Sequence, residues 1–288
     1  ISYAATKGIY IVYCPWTLDS SNQLLQQLPH QPATLADGTP WGEQGFRNYW
    51  LSVVNELKVY ENVVWEPWNE PYGASGLEWQ RVWQLVINDI RAIDDHVIIV
   101  SLGSQFGAHP SYTGPLNWVW DYPLVGTNLL YSSHLYWYQP GSSGDSFSFA
   151  DGTRAITYDQ VKSCIIGDGI TTGVIVPSAY QPWRRMDLVL NDNKAFWIGE
   201  VGPFMAVWDA NETQWWTNIL QILNEFGVGY AEWDWQVAPG WSMVSSLWIR
   251  NGPITLNAAG TILMASIPTP ATHNIFGYVN DAAGPLAG

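Results

Sequence analysis

Short apolar runs, β-branched and aromatic, alternate along this chain with stretches whose apolar residues recur at helical spacing. Runs beginning near residues 9, 63, 97, 129, 196 and 228 read as strands: Ile9–Tyr13, Val63–Trp65, Val97–Ser101, Leu129–Tyr136, Phe196–Val201 and Gly227–Trp233. Each is nearly continuous in its apolar character, as strands buried on both faces are. Between them, Phe46, Tyr49, Trp50, Val53, Val54 and Leu57 mark one amphipathic helix. Val82, Leu85, Val86, Ile90 and Ile93 mark a second, and Trp215, Trp216, Ile219, Leu220, Leu223 and Phe226 a third. Shorter helices are expected over Tyr158–Cys164 and Trp183–Leu190, and Ile1–Lys7 reads as the last turn of a helix closed by Gly8. Strands alternating with helices imply βα units and a parallel sheet.

The connections are polar or rich in glycine and proline: a Gln/Pro/Gly-rich loop reaching about Glu43, the exit Leu102–Pro110 with Gln105 and His109, and the Gly/Ser/Asp-rich residues 139–153. From Ile267 onward the chain is Pro-, Ala- and Gly-rich without a period. The expected organisation is therefore one barrel domain over residues 1–266 and an irregular tail over 267–288. A closed barrel of alternating β and α units has eight strands in about 250 residues, and six strands are legible here. The fold expected is a (β/α)8 TIM barrel with two of its βα units outside this sequence, the first two by the family resemblance described below. The bared edges at Ile9–Tyr13 and Val228–Trp233 are long and apolar, an aggregation hazard. A further N-terminal segment carrying two strands is expected to cover them.

Composition narrows the partners. With 47% hydrophobic and 12% charged residues the chain can fill a large core. A net charge of −14 disfavours nucleic acid and anionic membranes as partners. No run of 18 apolar residues and no signal peptide is visible. Nineteen Trp and fifteen Tyr beside only eleven Lys and Arg suit stacking on neutral sugar rings. Cys14 and Cys164 lie outside any CxxC pattern and read equally as one disulfide or two buried thiols. Five scattered His and two distant Cys have no metal-ligand spacing, and no phosphate-binding glycine loop occurs, so neither metal nor cofactor is expected.

Two strands end in a lone carboxylate. Val63-Val64-Trp65-Glu66-Pro67-Trp68-Asn69-Glu70-Pro71 stops at a proline that cannot donate to a ladder, and Phe196-Trp197-Ile198-Gly199-Glu200-Val201-Gly202 carries its Glu between glycines. The 130 residues between Glu70 and Glu200 exclude a hairpin and fit two strands of one parallel barrel. Two carboxylates on separate strand ends facing one cleft are the minimal equipment for glycoside hydrolysis. A structural role for both as ion pairs is disfavoured by the scarcity of basic residues. Glu66, on the same strand face as Glu70 but deeper, reads as a buried structural carboxylate. Glu232 and Asp234 alternate away from Trp233. Trp16 and Trp208 are taken as substrate-binding, and Trp137, Trp183, Trp235 and Trp241 also lie near strand exits or loops. Asn211-Glu212-Thr213 is a formal glycosylation sequon.

With Trp68-Asn69-Glu70-Pro71, His134-Leu135-Tyr136, Ile198-Gly199-Glu200-Val201-Gly202 and Trp233 in this order, the chain resembles glycoside hydrolase family five. These are cellulase-type enzymes in the clan of retaining (β/α)8 barrels, and the resemblance runs from Gly8 to about Gln236. It implies that Glu70 is the acid/base and Glu200 the nucleophile. It further implies that Asn69 bonds the sugar 2-hydroxyl, that His134 and Tyr136 lie near the two glutamates, and that Trp233 is the platform under the reacting sugar. Strict strand alternation would send Asn69 and Glu70 to opposite faces, so a bulge or the end of the strand is expected there. The implied activity is retaining endo-β-1,4-glucanase action on cellulose-type glucan, by a secreted enzyme. A β-mannanase, a mixed-linkage glucanase or an inactive sugar-binding barrel is the alternative. Two features depart from the family. Its strand-two Arg has no counterpart, because the first strand here matches the family's third, and Cys14-Pro15-Trp16 stands where many members carry a His.

Overall fold

Six of the apolar runs pair side by side into one parallel sheet. The computed structural model describes residues 1–15, 29–35, 37–71, 74–102, 118–137, 156–166, 194–203, 209–233 and 256–266, with backbone alone at Trp118, Tyr136, Trp137, Cys164 and Ile166. The sheet strands are β1 (Ile11–Tyr13), β4 (Val63–Trp65), β5 (Ile98–Ser101), β6 (Leu129–Trp137), β7 (Phe196–Pro203) and β8 (Gly229–Glu232), hydrogen-bonded in that order. All five pairings are parallel. With β2 (Ala33–Thr34) and β3 (Pro40–Trp41) as a small antiparallel pair, these are the strands among the described residues. The architecture is that of the (β/α)8 barrel, with six strands of its wall in place. β1 and β8 end the sheet and do not pair with each other among the described residues.

The helices cover the outer face. They are α1 (Ser2–Ala5), α2 (Glu43–Leu57), α3 (Gly76–Arg91), α4 (Trp118–Asp121), α5 (Tyr158–Ile166), α6 (Ala210–Glu225) and α7 (Ala258–Ser266). The three amphipathic stripes fall on α2, α3 and α6, which begin earlier than the apolar residues do. Polar caps set their starts: Ser75 accepts from the Glu78 amide at 3.2 Å and Asp209 from the Glu212 amide at 2.8 Å. Arg47 clamps α2 to α3 through two bonds to Asp89 at 2.6 and 2.7 Å. Among the described residues the tryptophan excess is spent largely on packing: Trp50, Trp65, Trp79, Trp83, Trp215 and Trp216 are fully buried.

Period-two alternation divides each strand between two cores. Val63, Trp65, Ile98, Val100 and Ile198 face the helices, while Val12, Val64, Ile99, Trp197 and Ala231 meet inside the barrel, with Leu130 packed against them. Two residues further along, the same inward positions turn polar: Cys14, Glu66, Ser101 and Ser132. A hydrophobic floor therefore carries a polar layer towards the carboxyl ends of the strands, where barrels of this kind place their sites.

Several expectations are adjusted. β1 is confined to Ile11–Tyr13, because only those residues pair with β4, and Ile9 and Tyr10 are exposed. The β2–β3 pair lies in a stretch read as loop, since two-residue strands carry no detectable period. α7, unmarked by any stripe, docks on α6, where Trp216 Nε1 donates to the Ala259 carbonyl at 3.1 Å. The Ile1–Lys7 helix holds over Ser2–Ala5, and Gly8 takes the left-handed φ of 67° expected of its closing residue. Cys14 is a free thiol rather than half of a disulfide. The Trp183–Leu190 helix, the glycine-rich exit beyond Leu102, the loop at 139–153 and the tail at 267–288 lie outside the described residues. No helix among the described residues is long and apolar enough to cross a membrane.

Candidate active site

Both carboxylates reach the rim through a local break in strand geometry. β4 ends at Trp65, and the chain then runs through bends over Trp68, Asn69 and Glu70. Glu70 takes a φ of 42°, in the left-handed region that non-glycine residues adopt at a cost of about 1–3 kcal/mol. Asn69 and Glu70 are thereby released from strict alternation by the end of the strand, one of the two ways expected. Glu200 uses the other. Across β6 and β7 Ser133 pairs with Ile198 but His134 pairs with Glu200, so Gly199 is an extra residue in the ladder. The β7–β8 register shifts over the same segment, between Ile198 and Val201. This bulge turns Glu200 inward although Trp197, three residues before it, already faces in.

Glycine is required at both flanks. A Cβ on Gly199 would stand 2.3 Å from Ser132 Oγ and 3.0 Å from His134 Nε2. One on Gly202 would stand 2.1 Å from the Trp233 carbonyl oxygen, a backbone atom with no room to give. That close approach lets the Trp233 amide donate to the Val201 carbonyl at 2.9 Å, bringing Trp233 to the rim beside Glu200.

The two glutamates meet at His134. Its Nδ1 lies 2.7 Å from Glu70 Oε1 and 3.3 Å from Glu200 Oε2, and all three residues are buried. One oxygen of each carboxylate and a ring nitrogen of His134 lie within 4.8 Å of one another. Burial opposes a charge on the ring, yet the Glu200 charge, the hydrogen bond to Glu70 and the charges of Glu70 and Glu66 outweigh it and lift His134 to about 9. The imidazolium is the positive centre between two acids. Asn69 is 4% exposed, and both of its amide atoms are buried without a hydrogen-bond partner. Such a side chain keeps capacity for a ligand hydroxyl.

Below this cluster Glu66 is the buried structural carboxylate that its place on the strand face predicts. It is fully buried and accepts from Ser101 Oγ at 2.7 Å, and the Cys14 thiol also bonds to it. Burial and the charges of Glu66, Glu200 and Glu70 push the Cys14 thiol well above its ordinary range, so it stays protonated and donates. The signal was available: Cys14, Glu66 and Ser101 each stand two residues after an inward apolar residue of β1, β4 and β5. Of the other expected site residues, Trp233 is half-buried at the end of β8. Tyr136 is placed by its backbone in β6, two residues after His134, and its side chain lies outside the described residues. Trp16 and Trp208 lie outside them altogether. Glu70, His134 and Glu200 also have the donor types of a metal site, as do Asp94, Asp95 and His96 at the turn before β5. In the second group Asp94 is already engaged by Trp65 Nε1 at 2.7 Å and by the His96 ring at 2.6 Å.

The raised His134 makes folding stability pH-dependent. A histidine whose folded value of about 9 exceeds its ordinary 6.5 stabilises fully below 6.5 and loses that contribution as pH rises through 9. Unfolding free energy measured in urea is expected to fall by on the order of 3 kcal/mol between pH 6.5 and 9.5. In His134→Gln that fall should be absent. A wild-type curve that is flat or rising over this range contradicts the charged imidazolium.

Residues 1–239 match the profile of Cellulase (glycosyl hydrolase family 5). No curated protein matches the chain. Among solved structures, an endoglucanase superposes with a TM-score of 0.53 at 18% identity, over 77% of this chain and 66% of its own. Cel5A of Thermotoga maritima is similar in a mutant form with cellobiose (TM-score 0.55, 16% identity, 78% and 66% covered) and in a complex with mannotriose (0.54, 15%, 78% and 66%). The chain thus spans about two thirds of the length of the structures it resembles. The family match covers most of the sequence, and the neighbours share the barrel: this chain belongs to glycosyl hydrolase family 5, the cellulase family.

Proposed function

We propose that this protein is a retaining glycoside hydrolase that cleaves β-1,4-linked glucan of the cellulose type within the chain. The observation that carries the reading is the buried cluster of Glu70, His134 and Glu200, whose ligand-type atoms lie within 4.8 Å of one another. Retaining enzymes hold their two carboxyl groups about 5 Å apart, whereas inverting ones leave about 6.5–9.5 Å for a water. Glu200, turned inward by the bulge, attacks the anomeric carbon while Glu70 gives a proton to the departing glycosidic oxygen. The glycosyl-enzyme ester forms as the sugar–oxygen bond breaks. Water then attacks the same carbon, Glu70 takes its proton, and Glu200 departs. Asn69 offers its amide to the sugar 2-hydroxyl, and Trp233 and Tyr136 line the reacting subsite with Trp16 and Trp208 further along the cleft. Neither a metal nor a cofactor takes part. Action on an insoluble polymer places the enzyme outside the cell.

A mannanase reading draws on the mannotriose complex of the Thermotoga neighbour, and an inactive sugar-binding barrel is the alternative from a different class. One panel separates all three. Reducing ends should appear fastest from carboxymethyl cellulose, more slowly from barley glucan and mannan, and the first-formed anomer should be β by proton NMR. Mannan as the fastest substrate selects the mannanase. Binding to all three without new reducing ends selects the sugar-binding barrel, and a first-formed α anomer overturns retention.

The same reading asks for closure of the barrel by two further βα units, carried on an N-terminal segment and docking on the edges of β1 and β8 that have no strand partner among the described residues. Ile11 and Tyr13 on β1 are only half-buried, and Tyr3, Ile9 and Tyr10 beside it are exposed. In the 288-residue chain alone, amides of β1 and β8 that donate to no neighbour should exchange with solvent as fast as loop amides. Protection there equal to that of β5 and β6 would show that the chain needs no such segment.

A further inference from the structure

Glu70 stands in a bend, and a left-handed backbone at a non-glycine residue persists only where its surroundings over-determine it. Two residues before it, Trp68 is 2% exposed, and two rings pack on its indole. Trp83 of α3 lies 6.2 Å away between centroids at 30°, and His30 meets it edge-on at 5.7 Å and 66°. His30 belongs to the connection between β1 and β2, and its ring is itself tied. Its Nε2 lies 2.8 Å from Glu78 Oε1 in the first turn of α3. A carboxylate only accepts, so Nε2 carries the hydrogen. Gln31 Nε2 donates to the same oxygen at 3.2 Å, and the Trp41 indole donates to the Pro29 carbonyl at 2.6 Å, anchoring the residue before His30 to β3. Glu78 is set in turn by the helix cap, its amide donating to Ser75 Oγ. His30 is 4% exposed, and its Nδ1 is buried without a hydrogen-bond partner among the described residues. An apolar side chain would fill that place without the cost, but it could not be tied to Glu78.

Resting on the hydrolase reading above, we propose that His30 is a positioning residue for the acid/base: tied to Glu78, it holds Trp68 against Trp83 and so keeps the bend from which Glu70 meets His134 Nδ1 at 2.7 Å. Glu78 and Trp83 both belong to α3, so one helix fixes both contacts on the indole. Without the ring, or without its tie, Trp68 gains room, and the short backbone from Trp68 to Glu70 carries that freedom to the carboxyl group. Glu200 is aimed separately, by the bulge between β6 and β7, and keeps its place. The step that suffers is therefore proton transfer and not attack by the nucleophile. His30 is buried, touches no sugar and acts only through Trp68.

The test compares two substrates through kcat/KM, which reports the step that forms the glycosyl-enzyme. On cellotetraose that step needs the Glu70 proton, and on dinitrophenyl cellobioside it does not. In His30→Ala the first is expected to fall about ten-fold or more and the second to stay within about two-fold of the parent. Glu78→Ala should show the same split. Glu78→Gln, which keeps an oxygen for the Nε2 hydrogen, should restore cellotetraose hydrolysis towards the parent rate. A packing role alone would lower both substrates together, or lower the melting temperature with neither rate moved, and either result overturns the proposal. Should His30→Ala fail to fold, Glu78→Ala decides by the same comparison, since it leaves the ring in place and removes only its tie. A second readout needs no turnover: the low-field Nδ1–H resonance of His134, bonded to Glu70 and assigned by its absence from His134→Gln. It should shift or broaden in His30→Ala and Glu78→Ala. If the parent hydrolyses neither substrate, the hydrolase reading fails, and it is this resonance that decides the positioning: unmoved in both variants, it overturns the role of His30 as well.

Discussion

Glu200→Gln should lower kcat on a soluble cello-oligosaccharide by roughly 10⁴-fold or more while leaving binding intact. The replacement keeps the volume of the side chain, so the bulge at Gly199 and the β6–β7 register that aim it are expected to persist. What disappears is the charged oxygen that forms the ester bond. An amide cannot replace it, and no other carboxylate among the described residues takes its position: Glu66 lies deeper in Ser101's grip, and Glu70 is bonded to His134. The His134 ring also loses the first of the charges that raise it, so its titration should move towards its ordinary value. Calorimetry with cellotetraose and single-turnover assays give the two readouts separately. Hydrolysis at the parent rate would sink the assignment of Glu200 and, with it, the enzyme reading.

Glu70→Gln should show a loss that depends on the leaving group. A positioned general acid and base contributes about 10²–10⁴-fold, and that factor is expected on cellulose-type substrates, whose departing sugar alkoxide needs a proton. With a dinitrophenyl glycoside the leaving group departs without help, so the glycosyl-enzyme forms quickly and its hydrolysis, lacking a base, becomes slow. A burst of dinitrophenolate followed by a low steady rate is the expected trace. Equal losses on both substrates, with no burst, would remove Glu70 from the acid/base role. Because glutamine inherits the left-handed backbone at φ 42°, this variant leaves the local strain as it is.

The elements were legible where burial imposes a long period. The stripes of α2, α3 and α6 and the runs of β4 to β8 are visible because a helix or strand covered by a core must be apolar along one face or both. Others were not: β2 and β3 have too few residues to show a period, α7 carries small and apolar residues on several sides rather than in one stripe, and β1 is set by how many residues its one neighbour pairs with. The two glutamates could also be found, since a lone carboxylate ending an apolar run is conspicuous in a chain with few charges.

How those glutamates meet was decided by tertiary structure. Sequence places Glu70 and Glu200 on strands 130 residues apart. It contains no mark that Gly199 is the extra residue of a bulge, because the bulge exists only in register against β6 and β8. Nor does it show that His134 stands between both carboxylates, or that Cys14 and Ser101 converge on Glu66 from strands on either side. Periodicity is a property of one segment and survives in the sequence. Register between strands, and the electric field of charges brought together from three of them, are properties of pairs of segments and arise only when the strands assemble into the sheet.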